Sequence, residues 1–462
     1  MPSGVSRTNF DLPAPVEPVA EPASWLPDQA PIVLIPGFGA PCVEEGGEGT
    51  CSSREASFDG DGGDMWAGTS FDCGCHRLSE EGPPTQQQAG SRGFWYKYWG
   101  EAATLSTFES PVLCVWPAGF ASLHDRACEV FAQIKGGVVD YGREHSERCG
   151  HARYGRCYEG LYREWDAEHP IHLVGHSLGG TTGRMLQHLL HIGHFEGHAD
   201  TSADWVASLS TINAPLNGSP VAYALGLQSD GSSDVRALSC GWLLGRVVHV
   251  AGFLGVPLLR YDIGMDQWQL GWWHGGSLVR LASALVGRSP MVEGGDNAAY
   301  DCSVHAMRKW NAEMGPGHKG TYYMSFAGTS EDAGVDPRRP GRWAGAVEWA
   351  VWLCMMMLVL VRRVFLLAVT RATLRWGAGG PGKGVEVRLS DGLCPHDSQK
   401  MPSGGVRGCG APQAGRWHVR EHGQDHMGVV PFPPCFERQR AFFEELFGTL
   451  RGLPAPDSRV GG

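Results

Sequence analysis

The chain has no basic tract. Its 38 lysines and arginines are outnumbered by 49 aspartates and glutamates, and no Lys/Arg block offsets the formal net charge of -11. Nucleic acid is bound by clustered cations that neutralise phosphates, so this balance argues against such a partner. An uninterrupted apolar run of spanning length is also missing. The longest run, Trp349 to Val361, stops at Arg362-Arg363 before Val364 to Val369 resumes, and extension back to Trp343 meets Glu348. A buried or membrane-surface helix over 343–369 is therefore expected rather than a transmembrane span, with the arginine pair suited to lipid headgroups. The N-terminus lacks the apolar segment of a secretory signal, which favours a cytoplasmic or lipid-surface location with secretion as the alternative. Cysteine is proportionately sparse, 14 in 462 residues, and does not settle the redox compartment.

What is abundant is glycine and proline, 66 and 30 residues, and these predict long loops. The length suits one large α/β domain with insertions or two ordinary domains. A Pro/Ala/Glu-rich tail over 1–30 and a short tail over 451–462 read as disordered. Residues 41–93, dense in Gly, Glu, Asp and Ser without apolar period, read as an acidic inserted loop. Its Cys73-Gly74-Cys75 could pair as a disulfide or hold metal, but no second ligand pair lies at useful spacing.

The chemistry is concentrated at Gly175-His-Ser177-Leu-Gly179. Before it, Pro170 to Val174 reads as a buried strand; after it, Met185, Leu186, Leu189 and Leu190 recur at helical spacing. A serine between glycines on a strand-to-helix turn is the pattern of a nucleophile elbow, in which side chains at the flanking positions would collide with the packed neighbours. The Leu178 amide, at the start of that helix, can donate to a developing oxyanion. Pro31 to Gly39 is a central-strand run ending in a turn, and there the Phe38 amide is placed to be the second donor. Pro111 to Trp116, Trp205 to Ile212 and Tyr322 to Ala327 are further buried strands, and Ser122 opens a helix reaching Ile134. The apolar residues from Leu243 to Leu254 form a greasy helix, either buried or a lid that opens on lipid.

An acid and a base should follow the serine in chain order. Asp391 and His426 fit, with Asp397, His418 and His422 in competition. Asp125, His145 and His151 are hard or borderline metal ligands, although histidines in polar loops are ordinarily just solvated.

These residues together resemble the zinc-containing lipases of thermophilic bacilli, their staphylococcal relatives and eukaryotic homologues. The likeness runs through Pro31-Ile-Val-Leu-Ile-Pro-Gly-Phe, Lys97-Tyr-Trp-Gly, Asp125-Arg-Ala-Cys-Glu, Val139-Asp-Tyr-Gly, the elbow, Tyr261 to Trp268, Gly320 to Phe326, Asp391-Gly and Asp425-His426. It spans about Pro31 to Phe447 and implies an α/β-hydrolase domain over 31–450. Such a domain has a mostly parallel central sheet with helices on both faces, and a lid and zinc-subdomain segment at 219–270. The resemblance assigns Ser177 as nucleophile, Asp391 as acid, His426 as base, and the Phe38 and Leu178 amides as the oxyanion hole. It also implies one structural zinc on Asp125, His145, His151 and Asp266, a four-ligand shell with no open position. Calcium is not expected: the second position after His426 is Gly428, and no Asp-Pro pair follows. The implied activity is acylglycerol ester hydrolysis at a lipid interface. The alternatives are an esterase or a phospholipid or galactolipid acyl hydrolase on the same triad, or a lipid-binding protein that keeps the fold without turnover. No oligomeric state is implied.

Overall fold

The computed structural model describes residues 29–40, 98–254, 264–270, 278–286, 289–329, 390–430 and 436–454. The expected insertion at 41–93, the apolar segment at 343–369 and nearly all of both tails lie outside these residues.

A six-stranded sheet organises the chain. Its strands are β1 (Ile32–Ile35), β2 (Val112–Cys114), β5 (Ile171–His176), β6 (Val206–Ile212), β7 (Tyr322–Gly328) and β8 (Trp417–His422). They lie in the order β2-β1-β5-β6-β7-β8, and every pairing is parallel. Parallel strands are buried on both faces, which explains why Pro31-Ile-Val-Leu-Ile and Pro170-Ile-His-Leu-Val read as continuous apolar runs. Successive side chains divide between two cores. Val33, Ile35 and Leu173 pack with helix α1 (Leu123–Lys135) and helix α3 (Leu178–His191), and Ile32, Leu34 and Val174 pack with Phe443 and Phe447 of the 436–451 helix. The α/β-hydrolase architecture, helices on both faces of a parallel sheet, is therefore present.

Several elements had no counterpart in the sequence reading. β8 carries His418, Arg420 and Glu421 and is an edge strand, so it has no apolar run. β3 (Gly137–Asp140) and β4 (Tyr154–Tyr158) form a separate antiparallel ribbon, with helix α2 (Arg143–Cys149) between them. The helix at 436–451 closes the second core. Among the described residues, no helix is long and apolar enough to cross a membrane.

The greasy segment is a helix at 240–254. Its Leu244 and Val248 share a cluster with Ala118, Phe120 and Ala121 of the loop after β2, while Leu243, Val247 and Leu254 face outward. That loop in turn supports the β1 turn: the Gly39 amide donates to the Gly119 carbonyl (2.9 Å), and the rings of Phe38 and Phe120 meet edge to face at 5.2 Å.

Candidate active site and metal cluster

β5 delivers Ser177 directly into α3 through one strained residue. Ser177 holds φ 55° and ψ -126°, a left-handed backbone that non-glycine residues rarely adopt. Space explains the flanking glycines. A Cβ on Gly175 would lie 2.3 Å from the Gly179 carbonyl carbon, and one on Gly179 only 2.0 Å from the Ile35 oxygen. The Ser177 amide is tied to the Ile212 carbonyl at 2.8 Å, which fixes the elbow to β6.

Ser177, His426 and Asp391 are brought together. The Ser177 Oγ lies 2.9 Å from His426 Nε2, and His426 Nδ1 lies 2.7 Å from Asp391 Oδ2. All three are buried, Asp391 completely. Asp391 Oδ1 accepts from the amides of Leu393 (2.9 Å) and Cys394 (2.7 Å), and the His426 amide donates to the Asp391 carbonyl at 2.8 Å. The carboxylate is thus held as an acceptor, and the imidazole presents its other nitrogen to the hydroxyl.

The competing residues are engaged elsewhere. His422 meets the Asn213 side chain through Nε2 at 3.0 Å, and His418 Nε2 accepts from the Gln413 amide at 2.9 Å. Asp397 pairs with Lys400 at the surface.

A second chain of hydrogen bonds, which the sequence reading did not find, steadies the site from behind. Burial brings the His176 pKa down to about 3, so its ring is neutral and carries one proton. Its Nε2 faces the His426 carbonyl (2.8 Å), which can only accept. Nδ1 therefore receives the Tyr98 hydroxyl proton (2.6 Å), and the Tyr98 oxygen accepts from the Gly37 amide (2.8 Å). The histidine loop and the β1 turn are thereby joined through one tyrosine. Arg126 acts alongside: fully buried, it donates to the Pro36 carbonyl (2.6 Å), the Ala118 carbonyl (2.7 Å) and the Thr182 hydroxyl (3.0 Å). Among the described residues neither the Phe38 nor the Leu178 amide meets an acceptor, and a Cβ on Gly37 would stand 2.9 Å from the Ser177 Cβ. Among these residues, the two amides are open donors next to the nucleophile.

A candidate metal-binding cluster forms where α1, α2 and the chain before β4 meet. Asp125 Oδ1 lies 3.1 Å from His145 Nε2 and 3.7 Å from His151 Nε2, and Asp296 reaches the same two nitrogens at 3.4 Å each. Asp125 Oδ1, Asp296 Oδ2 and both Nε2 atoms are buried without a hydrogen-bond partner. Ligand atoms about 2.0 Å from a tetrahedral ion stand about 3.3 Å apart, so the spacing fits a bound divalent cation. Supporting contacts fit as well: His151 Nδ1 lies 2.8 Å from the Ala152 carbonyl, and Gln267 donates to Asp125 Oδ2 at 2.8 Å. Burial opposes charge on both imidazoles, but the Asp125 and Asp296 carboxylates outweigh it and push His145 up to about 12 and His151 to about 10. The field that favours those protons favours a cation in their place.

Asp266 is not part of this group, contrary to the ligand set expected from the sequence. Its carboxylate forms a two-pronged ion pair with Arg156 on β4 and is a third exposed, while the next residue, Gln267, turns inward to orient Asp125. Asp296 takes its place. The only sequence signal for it was an acidic residue after Gly294-Gly295 and before the Asn297 helix cap, no stronger than Asp266-Gln-Trp.

A parallel sheet bearing a strained serine elbow, with histidine and aspartate on later loops, defines an α/β-hydrolase. Residues 115–340 match the family model described as lipase-like, C-terminal domain. The chain is 30% identical over 281 residues to a lipase of Staphylococcus hyicus, covering 54% of this chain and 40% of that one. It is 32% identical over 231 residues to lipase 2 of Staphylococcus aureus, covering 47% and 31%. It therefore spans less than half the length of these curated relatives. Among solved structures, S. hyicus lipase superposes with a TM-score of 0.59 at 20% identity, over 94% of this chain and 97% of that one. EstA from Clostridium botulinum gives 0.57 at 22% identity, over 96% and 92%. In sequence and in fold the chain is thus similar to lipases of the Staphylococcus type.

Proposed function

We propose that the chain is a serine carboxylic-ester hydrolase that cleaves acylglycerols at a lipid surface. The observation that carries this reading is the unbroken Ser177–His426–Asp391 chain of hydrogen bonds beside two free backbone amides. Ser177 Oγ attacks the ester carbonyl as His426 Nε2 takes its proton, and Asp391 stabilises the imidazolium that results. The tetrahedral oxyanion is held by the Phe38 and Leu178 amides. Collapse releases the alcohol, which carries away the proton from His426. Water, deprotonated by the same imidazole, then frees the fatty acid and restores the serine.

Apolar side chains on the outside of the described structure support the lipid surface. Leu243, Val247 and Leu254 on the 240–254 helix and Leu278 and Val279 on the neighbouring 278–285 helix are each more than half exposed. Soluble proteins seldom leave such a patch uncovered.

Asp125, His145, His151 and Asp296 would hold the zinc. With all four positions filled by protein, the ion would brace the β3–β4 ribbon against α1 rather than act on substrate.

Ser177→Ala should lose about five to six orders of magnitude in activity on a triacylglycerol emulsion and all fluorophosphonate labelling, with an unchanged melting temperature. Turnover surviving in that variant would remove the mechanism. A wild-type chain that does not label would be the lipid-binding protein instead. Activity that fails to rise above the substrate's solubility limit would identify an esterase of soluble substrates.

A further inference from the structure

Beside the carboxylate and imidazole cluster stands a group that the triad and the zinc reading leave unused. His124 and Cys128 are four residues apart on α1 and so share one face of the helix, and His194 reaches the same point from the chain after α3. Cys128 Sγ lies 3.9 Å from His124 Nδ1 and 3.8 Å from His194 Nε2, with the two rings perpendicular at 4.8 Å. All three potential ligand atoms lie within 4.8 Å of one another.

We propose that His124, Cys128 and His194 form a second cation site, one that takes a thiolate-binding ion of the zinc type.

The distances support this. Metal–sulfur and metal–nitrogen bonds of about 2.3 and 2.0 Å, at tetrahedral to trigonal angles, separate the ligand atoms by about 3.5 to 3.8 Å. Hydrogen-bond supply points the same way. One thiol proton faces two ring nitrogens, whereas a cation accepts a lone pair from all three groups at once. Each neutral imidazole offers a cation one ring lone pair, and the thiol offers its sulfur once it has lost its proton. Binding must therefore displace the Cys128 proton: the S–H bond breaks, a sulfur–metal bond forms and one proton leaves to solvent. Cys128 and His124 are buried, but His194 is only partly so and gives the ion an entrance. The His124 ring stacks on His145 at 3.6 Å and forms the wall between the two clusters. Donor sets differ across that wall. One side offers two carboxylates and two imidazoles with the Cys149 thiol beside them, and the other offers two imidazoles and the Cys128 thiol, a carboxylate-free set that selects softer ions.

Cobalt(II) titrated into the metal-stripped full chain separates the sites. Two equivalents should bind, the second bringing a thiolate-to-cobalt charge-transfer band and release of the thiol proton. Cys128→Ser should abolish that band and leave the first equivalent in place. His194→Gln, on a partly exposed side chain that does not endanger folding, should weaken the second equivalent more than tenfold. Cys149→Ser, which removes the thiol beside His145 and His151, should keep the band. A single equivalent without the band overturns the proposal. So does a band that depends on Cys149, or a second equivalent that His194→Gln leaves unchanged.

Discussion

His426 and His145 are both buried imidazoles facing a buried aspartate, and they differ in what lies on the far side of the ring. Beyond His426 is the Ser177 hydroxyl, a group that can give a proton and take one back. Beyond His145, at Nδ1, is the Arg148 guanidinium, while two carboxylates, Asp125 and Asp296, both face its Nε2 with their lone pairs aimed at one spot. The first arrangement is complete as a chain of donors and acceptors: Asp391 Oδ1 is occupied by two amides and Oδ2 by the imidazole. In the second, four buried atoms have no hydrogen-bond partner. Aspartate and histidine are therefore arranged for proton relay where every acceptor finds a donor, and for holding a cation where acceptors meet acceptors.

The sharpest break in that comparison is Asp391→Asn. The amide keeps the shape of the relay but offers the imidazole the wrong tautomeric partner, and activity should fall about 10⁴-fold. Metal content, set by the other cluster, should not move; a loss of both together would mean that the two regions are one cooperative unit. Next in size is Asp296→Ala. Removing one partner from a group of buried charges costs about 3 to 5 kcal/mol, and the variant should lose its bound metal and melt several degrees lower. Asp266→Ala should keep its metal and lose only the partner of Arg156. If metal content drops in Asp266→Ala and not in Asp296→Ala, the ligand assignment is reversed.

The relay was legible in the sequence because strand, elbow and helix are adjacent along the chain and each leaves a local pattern. Resemblance to a known family was then needed to choose Asp391 over Asp397 and His426 over His418 and His422. Geometry accounts for that choice, since the rejected residues carry their own partners at Gln413, Asn213 and Lys400. The metal cluster was three-quarters legible. Asp125, His145 and His151 sit in one continuous neighbourhood of α1, α2 and the ribbon, whereas the fourth ligand arrives from 145 or more residues further on. Asp266 and Asp296 both follow in the chain, and their partners distinguish them: Arg156 for Asp266, the two imidazoles for Asp296. Arg126 and Tyr98 were in view as motif members, but their roles rest on contacts with Pro36, Thr182 and Gly37, which no spacing along the chain encodes. The 436–451 helix did carry a pattern, with Phe443, Leu446, Phe447 and Leu450 at helical spacing.

A smaller effect probes the link between the regions. Glu129, on α1 between them, accepts from the Ala118 amide (2.6 Å) beside the β1 turn and from the Tyr141 hydroxyl (3.0 Å) beside the ribbon. Burial pushes its carboxyl up to about 8 from an ordinary value of 4.5. A carboxyl raised by folding binds a proton more tightly in the native state than in the unfolded chain. Its contribution to stability is thus fully present below about pH 4.5 and is lost as pH rises through about 8, with a slope of about 1.4 kcal/mol per pH unit in between. The melting temperature should accordingly rise on going from pH 8 to pH 5. Asp301, pushed up to about 7 by burial, adds to the same trend. Glu129→Gln keeps an acceptor for the Ala118 amide and cannot titrate, so it should flatten the slope without changing the activity at pH 5 more than a few-fold. An unchanged slope would show that Glu129 is ionised in the folded protein and bonded to Ala118 and Tyr141 as a carboxylate. The contact between relay and ribbon would then be an anionic one.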